Sequence, residues 1–237
     1  ERARLAAGRA AAAMNVDEHN IECAERENPH IPPQPKVGDA VSTGTTIVAA
    51  MFDGGVVLGA DSRVTTGTYV SNRVSDKVTP LIEGSVYLCR SGSAADTQLV
   101  CDHVRNYMEQ HALTLDDSKP TVSAGANLCA AINYNNKDML MAGMIVAGWD
   151  KYEGGVVYAL PIGGSMVKVP YAVEGSGSTY IWGFCDKAFK EGMNREECET
   201  FVRDALAHAM SRDGSSGGIA RLVTVDKNGA TRKIVQG

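Results

Sequence analysis

A glycine-threonine pair, Gly44-Thr45, opens the run "TTIVAAMF". A side-chain hydroxyl is a poor nucleophile until a neighbouring group takes its proton. If the peptide bond after Gly44 is cut, Thr45 carries a hydroxyl and a free α-amine on one residue. Such an amine has a reference pKa of about 7.7–8.0, against about 10.4 for a lysine side chain, which suits general-base work near neutral pH. Gly44 fits the position before the cut, because without a Cβ it tolerates unusual backbone angles and lets the Thr45 hydroxyl approach its carbonyl. Alone, Gly-Thr at a strand entrance is only the end of a loop.

Other residues give the pair its meaning. Asp61 ends the strand-like run "VVLGADSR", and hairpin pairing returns it toward Thr45. Lys77 lies sixteen residues beyond Asp61, the same interval that separates Asp61 from Thr45. A lysine ammonium beside the amine disfavours its protonated form and stabilises negative charge on the hydroxyl oxygen. Asp61 could hold that lysine as a buried partner, whereas in isolation the two would form a surface ion pair. Gly92 in "RSGS" lets backbone approach a reacting carbonyl, and an N–H aimed at a developing oxyanion is worth about 10²–10³ in rate. Taken singly, Gly92, Ser176 in "GSGS", and Asp213 and Ser216 in "RDGSS" read as turn and helix-end residues. Arg90 stands two residues before Gly92; turned into a pocket, its guanidinium could clamp a carboxylate through two charge-assisted hydrogen bonds. The alternative for Arg90 is a solvated strand residue or a subunit-contact ion pair.

The elements that must position these residues follow from patterning. "TTIVAAMF" and "VVLGADSR" form a hairpin across "DGG". Further strands are expected in "TYVSNRVSDKVTPLI", "SVYLCRSG", "LMAGMIVAGWD", "GGVVYALPIGG" and "SMVKVPYAVEGSG", with a closing hairpin "IARLVTV"–"DKNGA"–"TRKIV". A helix begins at Ser93, where Asp96 resembles a capping box, and keeps Val100, Val104, Tyr107, Met108 and His111 in register. "VSAGANLCAAINYNN" predicts a second helix, and two more are expected over 178–191 and 195–211. The last starts with Asn194 and Glu197 in capping-box register and turns Phe201, Val202, Ala205, Leu206 and Ala209 to one side. Strands, two helices, strands, two helices, strands is an α+β order that suits two packed antiparallel sheets with a helix pair on each outer face.

Composition bounds the rest. The 237 residues, 44% hydrophobic and 22% charged, are ordinary for a soluble globular protein. A net charge of −5 without a basic stripe argues against nucleic acid, and the chain has no apolar run of membrane-spanning length. The six cysteines have no C-x-x-C spacing and read as small buried thiols, and the histidines form no ligand pattern, so no metal or cofactor is expected. Residues 1–44 differ from the rest: an Ala-rich start, a charged stretch, then "NPHIPPQPKVGDAVSTG", which is expected to be extended or mobile. They read first as a propeptide removed on maturation; the Arg and Ala content also suggests a transit segment, against which Glu1, Asp17 and Glu18 count.

From Thr45 onward, "TTIVAAMFDGGVVLGADSRVTTGTYVSNRVSDK" resembles the mature start of catalytic beta subunits of the eukaryotic 20S proteasome, and "CRSGSAADTQ", "EGSGSTY" and "RDGSSGG" continue the match over 45–237. The resemblance implies the N-terminal nucleophile hydrolase fold, a four-layer αββα sandwich, and a threonine endopeptidase freed by self-cleavage between Gly44 and Thr45. It implies Thr45 as nucleophile, Asp61 and Lys77 as supporting pair, and Gly92 as oxyanion donor. Ser176, Asp213 and Ser216 would complete the network around the amine, and Thr65 and Gly92 would bind the substrate backbone as an added strand. The resemblance is to the caspase-like, beta-one type in particular, with Arg90 selecting acidic side chains. Val64 and Ser75 depart from relatives, which usually carry a small hydroxyl residue and a Thr there. Implied partners are other beta subunits in a ring of seven, alpha-ring subunits, a second beta ring and unfolded polypeptides, in cytoplasm and nucleus. The rival expectation is an uncleaved, inactive structural subunit of the beta ring.

Overall fold

The computed structural model describes residues 43–115 and 119–236; the leader 1–44, apart from Thr43 and Gly44, lies outside the described residues, as does Cys23. Strand β1 (Ile47–Phe52) turns through Asp53-Gly54 into β2 (Gly55–Ala60), and the last pair of that hairpin is Ile47 with Ala60. A short ribbon, β3 (Val64–Thr66) with β4 (Tyr69–Asn72), precedes β5 (Val78–Ile82) and β6 (Val86–Gly92). Helices α1 (Ala94–Ala112) and α2 (Val122–Asn135) follow, then β7 (Ala142–Asp150), β8 (Gly154–Leu160), β9 (Val167–Val169) and β10 (Tyr171–Glu174). Helices α3 (Ser178–Ala188) and α4 (Arg195–Arg212) lead to the closing hairpin β11 (Ile219–Asp226) and β12 (Gly229–Gln236).

Two antiparallel five-stranded sheets result, in the orders β10-β1-β2-β11-β12 and β5-β6-β7-β8-β9. Strand alternation explains why their inner strands are apolar without interruption. In β1, Ile47 and Ala49 face the other sheet while Val48 and Ala50 face α3 and α4; in β6, Tyr87 and Cys89 face between the sheets while Val86 and Leu88 face α1 and α2. Each inner strand thus contributes to two cores, and the layers are helix pair, sheet, sheet, helix pair. The expected α+β sandwich is the observed one.

The helix expected over 178–191 stops at Ala188, before an extended Phe189, and two further details differ from the sequence reading. The run "SMVKVPYAVEGSG" is two strands in different sheets: β9 pairs with β8 and β10 with β1. Pro170 sits at the crossing, where its missing N–H costs no ladder bond, and its carbonyl accepts from Met51 N–H at 2.9 Å. At α1, Ser93 Oγ accepts from Asp96 N–H, but the Asp96 carboxylate does not return to the cap; it accepts from Met141 N–H at 3.1 Å. The shorter Asp arm ties the helix to β7 instead. In α4 both arms of the Asn194–Glu197 capping box are made, and Phe201, Val202, Ala205, Leu206 and Ala209 are buried. Val100, Val104 and Met108 of α1 are buried, while His103, Tyr107 and His111 are exposed. Among the described residues, no helix is long and apolar enough to cross a membrane.

Candidate active site

Thr45 and Thr46 enter β1 at the end of the sandwich where β2 and β6 finish. Thr45 is 3% exposed. Its Oγ1 donates to the Gly44 carbonyl at 2.7 Å, which brings a hydroxyl against the carbonyl group of the preceding residue. Gly44 fits by close packing: a Cβ there would lie 1.9 Å from Ser215 Cβ. Its backbone is not in the left-handed region, so the absence of a side chain matters here for space rather than for unusual angles.

Asp61, immediately after β2, is fully buried and serves four donors. Its Oδ1 accepts from Lys77 Nζ at 2.6 Å and Thr46 N–H at 2.9 Å; its Oδ2 accepts from Arg63 N–H at 3.1 Å and Gly217 N–H at 3.0 Å. Lys77 Nζ also donates to the Arg63 carbonyl at 2.6 Å. Burial holds the Lys77 ammonium below its ordinary value; the charge and hydrogen bond of Asp61, and the charge of Asp213, act against that, while Arg90 adds to it. The sequence left open a surface ion pair, and burial excludes it.

A second cluster lies on the other side of Thr45. Thr45 N–H donates to Ser176 Oγ at 3.1 Å, Ser176 Oγ donates to Asp213 Oδ2 at 2.7 Å, and Ser216 Oγ donates to the same oxygen at 2.6 Å. Asp213 Oδ1 accepts from Ser215 N–H at 3.0 Å. Asp213 is also the C-cap of α4. A carboxylate there opposes the helix dipole, so three hydrogen-bond donors hold it where local preference would not.

The two residues before Thr45 lie between β3 and β6. Gly44 N–H donates to Thr65 Oγ1 at 3.2 Å, and Thr43 donates to the Gly92 carbonyl from its N–H at 3.2 Å and its Oγ1 at 2.6 Å. Thr43 and Gly92 form an antiparallel bridge, so the chain entering Thr45 docks as a short added strand. Gly92 has φ +99°, and a Cβ on it would lie 2.3 Å from the Met141 carbonyl oxygen. Only glycine fits.

Beside this strand is a cavity of about 30 Å³ whose lining includes Thr45, Val64, Ser75, Lys77, Arg90 and Thr97. Arg90 donates from Nη2 to the Asp76 carbonyl at 2.9 Å, and it makes no ion pair among the described residues. Its Nε is buried without a partner there.

Comparison with known proteins places this arrangement in a family. The proteasome subunit family model matches residues 41–225. The chain is 56% identical over 199 residues to proteasome subunit beta type-6 of Dictyostelium discoideum, covering 84% of this chain and 92% of the relative. It is 52% identical over 197 residues to proteasome subunit beta type-6 of Arabidopsis thaliana, covering 83% of each. It is 48% identical over 194 residues to proteasome subunit beta type-1 of Saccharomyces cerevisiae, covering 82% and 89%. This chain belongs to the proteasome beta-subunit family. It is a family of protease subunits that assemble with other subunits into the 20S core.

Within this beta subunit, the residues singled out from sequence converge. Thr45 is flanked by Asp61 with Lys77 on one side and by Ser176, Asp213 and Ser216 on the other. Thr65 and Gly92 grip residues 43 and 44, and Arg90, Val64 and Ser75 share the cavity with Thr45. Three contributors were missed. Thr43 is the residue that bridges to Gly92, Arg63 lends its carbonyl to Lys77, and Thr46 bonds to both clusters. The Thr45-Thr46 doublet was the one local signal, and strand propensity explained it equally well.

Proposed function

We propose that this subunit is a threonine endopeptidase that cuts its own Gly44–Thr45 bond and then cleaves polypeptides after acidic residues. The observation that carries the reading is the Thr45 hydroxyl at 2.7 Å from the Gly44 carbonyl oxygen, between two buried carboxylate clusters. In self-cleavage, Thr45 Oγ1 bonds to the Gly44 carbonyl carbon, the C–N bond breaks, and the hydroxyl proton ends on the new amine. Water then hydrolyses the ester, freeing residues 1–44 as a propeptide that shields Thr45 until assembly.

In the mature form the Thr45 amine takes the proton from Oγ1 as the oxygen attacks a substrate carbonyl. Lys77, held by Asp61, disfavours a second positive charge on that amine and stabilises the oxygen as it loses its proton. The Gly92 N–H donates to the oxyanion, and the amine passes its proton to the departing peptide nitrogen. Water releases the acyl-enzyme. Substrate lies where Thr43 and Gly44 lie in the uncut chain, paired with Thr65 and Gly92 as an added strand. Arg90 supplies a fixed positive charge to the adjoining cavity, which favours a carboxylate side chain there.

The working particle on this reading is a pair of beta rings of seven between alpha rings, in cytoplasm and nucleus, admitting only unfolded chains. In particles carrying Thr45→Ala, the Gly44–Thr45 bond should stay uncut and hydrolysis after Glu or Asp should disappear; retained acidic-site hydrolysis refutes the assignment. Arg90→Met should move the preference toward apolar side chains, and an unchanged preference removes Arg90 from the argument. The docking of Thr43 and Gly44 in the substrate position also favours a second reading, an inactive structural subunit that keeps its leader. The N-terminal mass of the chain from assembled particles separates the two.

A further inference from the structure

Thr46 stands outside every role assigned so far, yet it is the residue on which the two clusters meet. It is fully buried. Its N–H donates to Asp61 Oδ1 at 2.9 Å, and its Oγ1 lies 2.7 Å from Ser216 Oγ. Proton accounting fixes the direction of the second bond. A hydroxyl has one hydrogen, and an ionised carboxylate only accepts. Ser216 spends its hydrogen on Asp213 Oδ2 at 2.6 Å, so Thr46 must be the donor to Ser216. Ser176 likewise donates to Asp213 Oδ2 and so accepts from Thr45 N–H. The hydroxyls therefore run in one sense, from Thr46 through Ser216 to Asp213, with Ser176 arriving from the Thr45 side.

The Thr46 hydroxyl is tightly packed. A Cβ on Gly177 would come within 1.9 Å of Thr46 Oγ1, so the backbone beyond Ser176 is packed directly on this hydroxyl. We propose that Thr46 is a positioning residue of the active site, whose hydroxyl orients Ser216 and Asp213 and thereby sets the proton affinity of the Thr45 amine. The inference rests on the proposed function, since it needs that amine to be free in the mature chain.

The physical consequence has a sign. Without the Thr46 donor, Ser216 Oγ takes its hydrogen bond from nowhere and donates less strongly to Asp213, because hydrogen bonds in a chain reinforce one another. Asp213 then carries more uncompensated negative charge toward Thr45, which favours the protonated amine and raises its pKa. Other charged groups around the site are Asp61 after β2, Arg63 beside Gly217, Lys77 before β5, Arg90 on β6 and Glu174 on β10. All are retained when only Thr46 is changed.

The test uses 20S particles carrying the wild-type chain, Thr46→Val or Thr46→Ser. Valine keeps the shape of threonine and removes the donor, and serine keeps the donor. Two readouts are taken on each: the pH dependence of cyanate carbamylation of the Thr45 amine, followed by N-terminal mass, and kcat and KM for an acidic-site peptide across pH. Thr46→Val should raise the amine's titration midpoint and the acid limb of kcat/KM together by about half a pH unit, and lower kcat about tenfold with KM within twofold. Thr46→Ser should return both to within twofold of wild type. If Thr46→Val leaves both midpoints where they were, or if valine and serine behave alike, the inference falls while the proposed function stands. Should Thr46→Val not enter particles, Thr46→Ser and Thr46→Ala decide: a midpoint shift in alanine but not in serine supports the role, and equal midpoints overturn it. A wild-type chain with no free Thr45 amine overturns the proposed function, and this inference with it.

Discussion

Changing Asp61 should cost this subunit more than changing Lys77, although the two form one ion pair. At 2.6 Å their attraction is about 6 kcal/mol for an effective dielectric of about 20, and desolvating two ions costs several kcal/mol each, so the pair itself is close to neutral in stability. What decides the outcome is what each substitution leaves behind. Lys77→Met leaves a buried carboxylate that still accepts from the backbone N–H groups of Thr46, Arg63 and Gly217, so its cost should fall near the low end of the roughly 3–5 kcal/mol for breaking a buried pair. Asp61→Asn instead turns an NH₂ group toward Arg63 N–H and Gly217 N–H. Two orphaned donors at about 1–3 kcal/mol each come on top of an unpaired ammonium.

The two variants should also separate by pH. Burial lowers the Lys77 pKa from 10.5 and Asp61 opposes that, so Asp61→Asn lowers it further. Between the lowered folded value and 10.5 the unfolded chain binds more protons than the folded one, and stability rises with pH. Across that window the gain is about 1.4 kcal/mol per pH unit. Below it the ammonium is charged in both states and the full cost applies. The Asp61→Asn deficit should therefore shrink as pH rises from the variant's further-lowered Lys77 pKa toward the wild-type one, whereas Lys77→Met, with no lysine to titrate, should show no such recovery. Urea unfolding followed by the fluorescence of the chain's two tryptophans measures both. A larger cost for Lys77→Met, or an Asp61→Asn deficit that does not change with pH, refutes this account of the pair.

Gly92→Ala should lower kcat by about 10²–10³ through displacement of the proposed oxyanion donor, because its Cβ meets the Met141 carbonyl at 2.3 Å; an active Gly92→Ala particle would show that donor to lie elsewhere. Burial pushes the Cys185 and Cys198 thiols up to about 12, and Cys89, Cys101 and Cys129 are raised as well. All five should resist iodoacetamide at pH 8 on the folded chain and react once it is unfolded, which peptide mapping will read residue by residue.

What the sequence made legible was local. The hairpin of β1 and β2 announced itself through alternation and "DGG", and α4 through a cap whose two arms lie three residues apart. What it hid depends on partners far along the chain. Nothing near Pro170 says that β9 and β10 belong to different sheets, since that is decided by β8 and β1. Nothing near Asp96 says that its carboxylate belongs to Met141, forty-five residues away. The candidate site behaved the same way. Residue types suggested Thr45, Asp61 and Lys77, but the burial that turns an ordinary ion pair into a shifted lysine exists only once Gly217 and Arg63 close over it. Thr46 escaped because its hydroxyl partner, Ser216, is 170 residues distant.

In the uncut chain the side chains of the site are already in contact. Thr45 nitrogen is an amide that donates to Ser176 Oγ, and an amide nitrogen has no lone pair free to take a proton from Oγ1. Asp61, Lys77, Ser176, Asp213 and Ser216 are nevertheless already hydrogen-bonded around it. On the proposed reading, the ordering of those side chains is therefore met by folding, ahead of any catalysis, and what activation adds is a single change in covalent state at one nitrogen. That is the condition for preorganised electrostatics to work at full strength, because dipoles fixed in advance need not reorient as charge develops. On the same reading, the residues before the cut stand in for substrate. Thr43 and Gly44 are held by Gly92 and Thr65, the strand partners that the proposed reading gives to a later peptide.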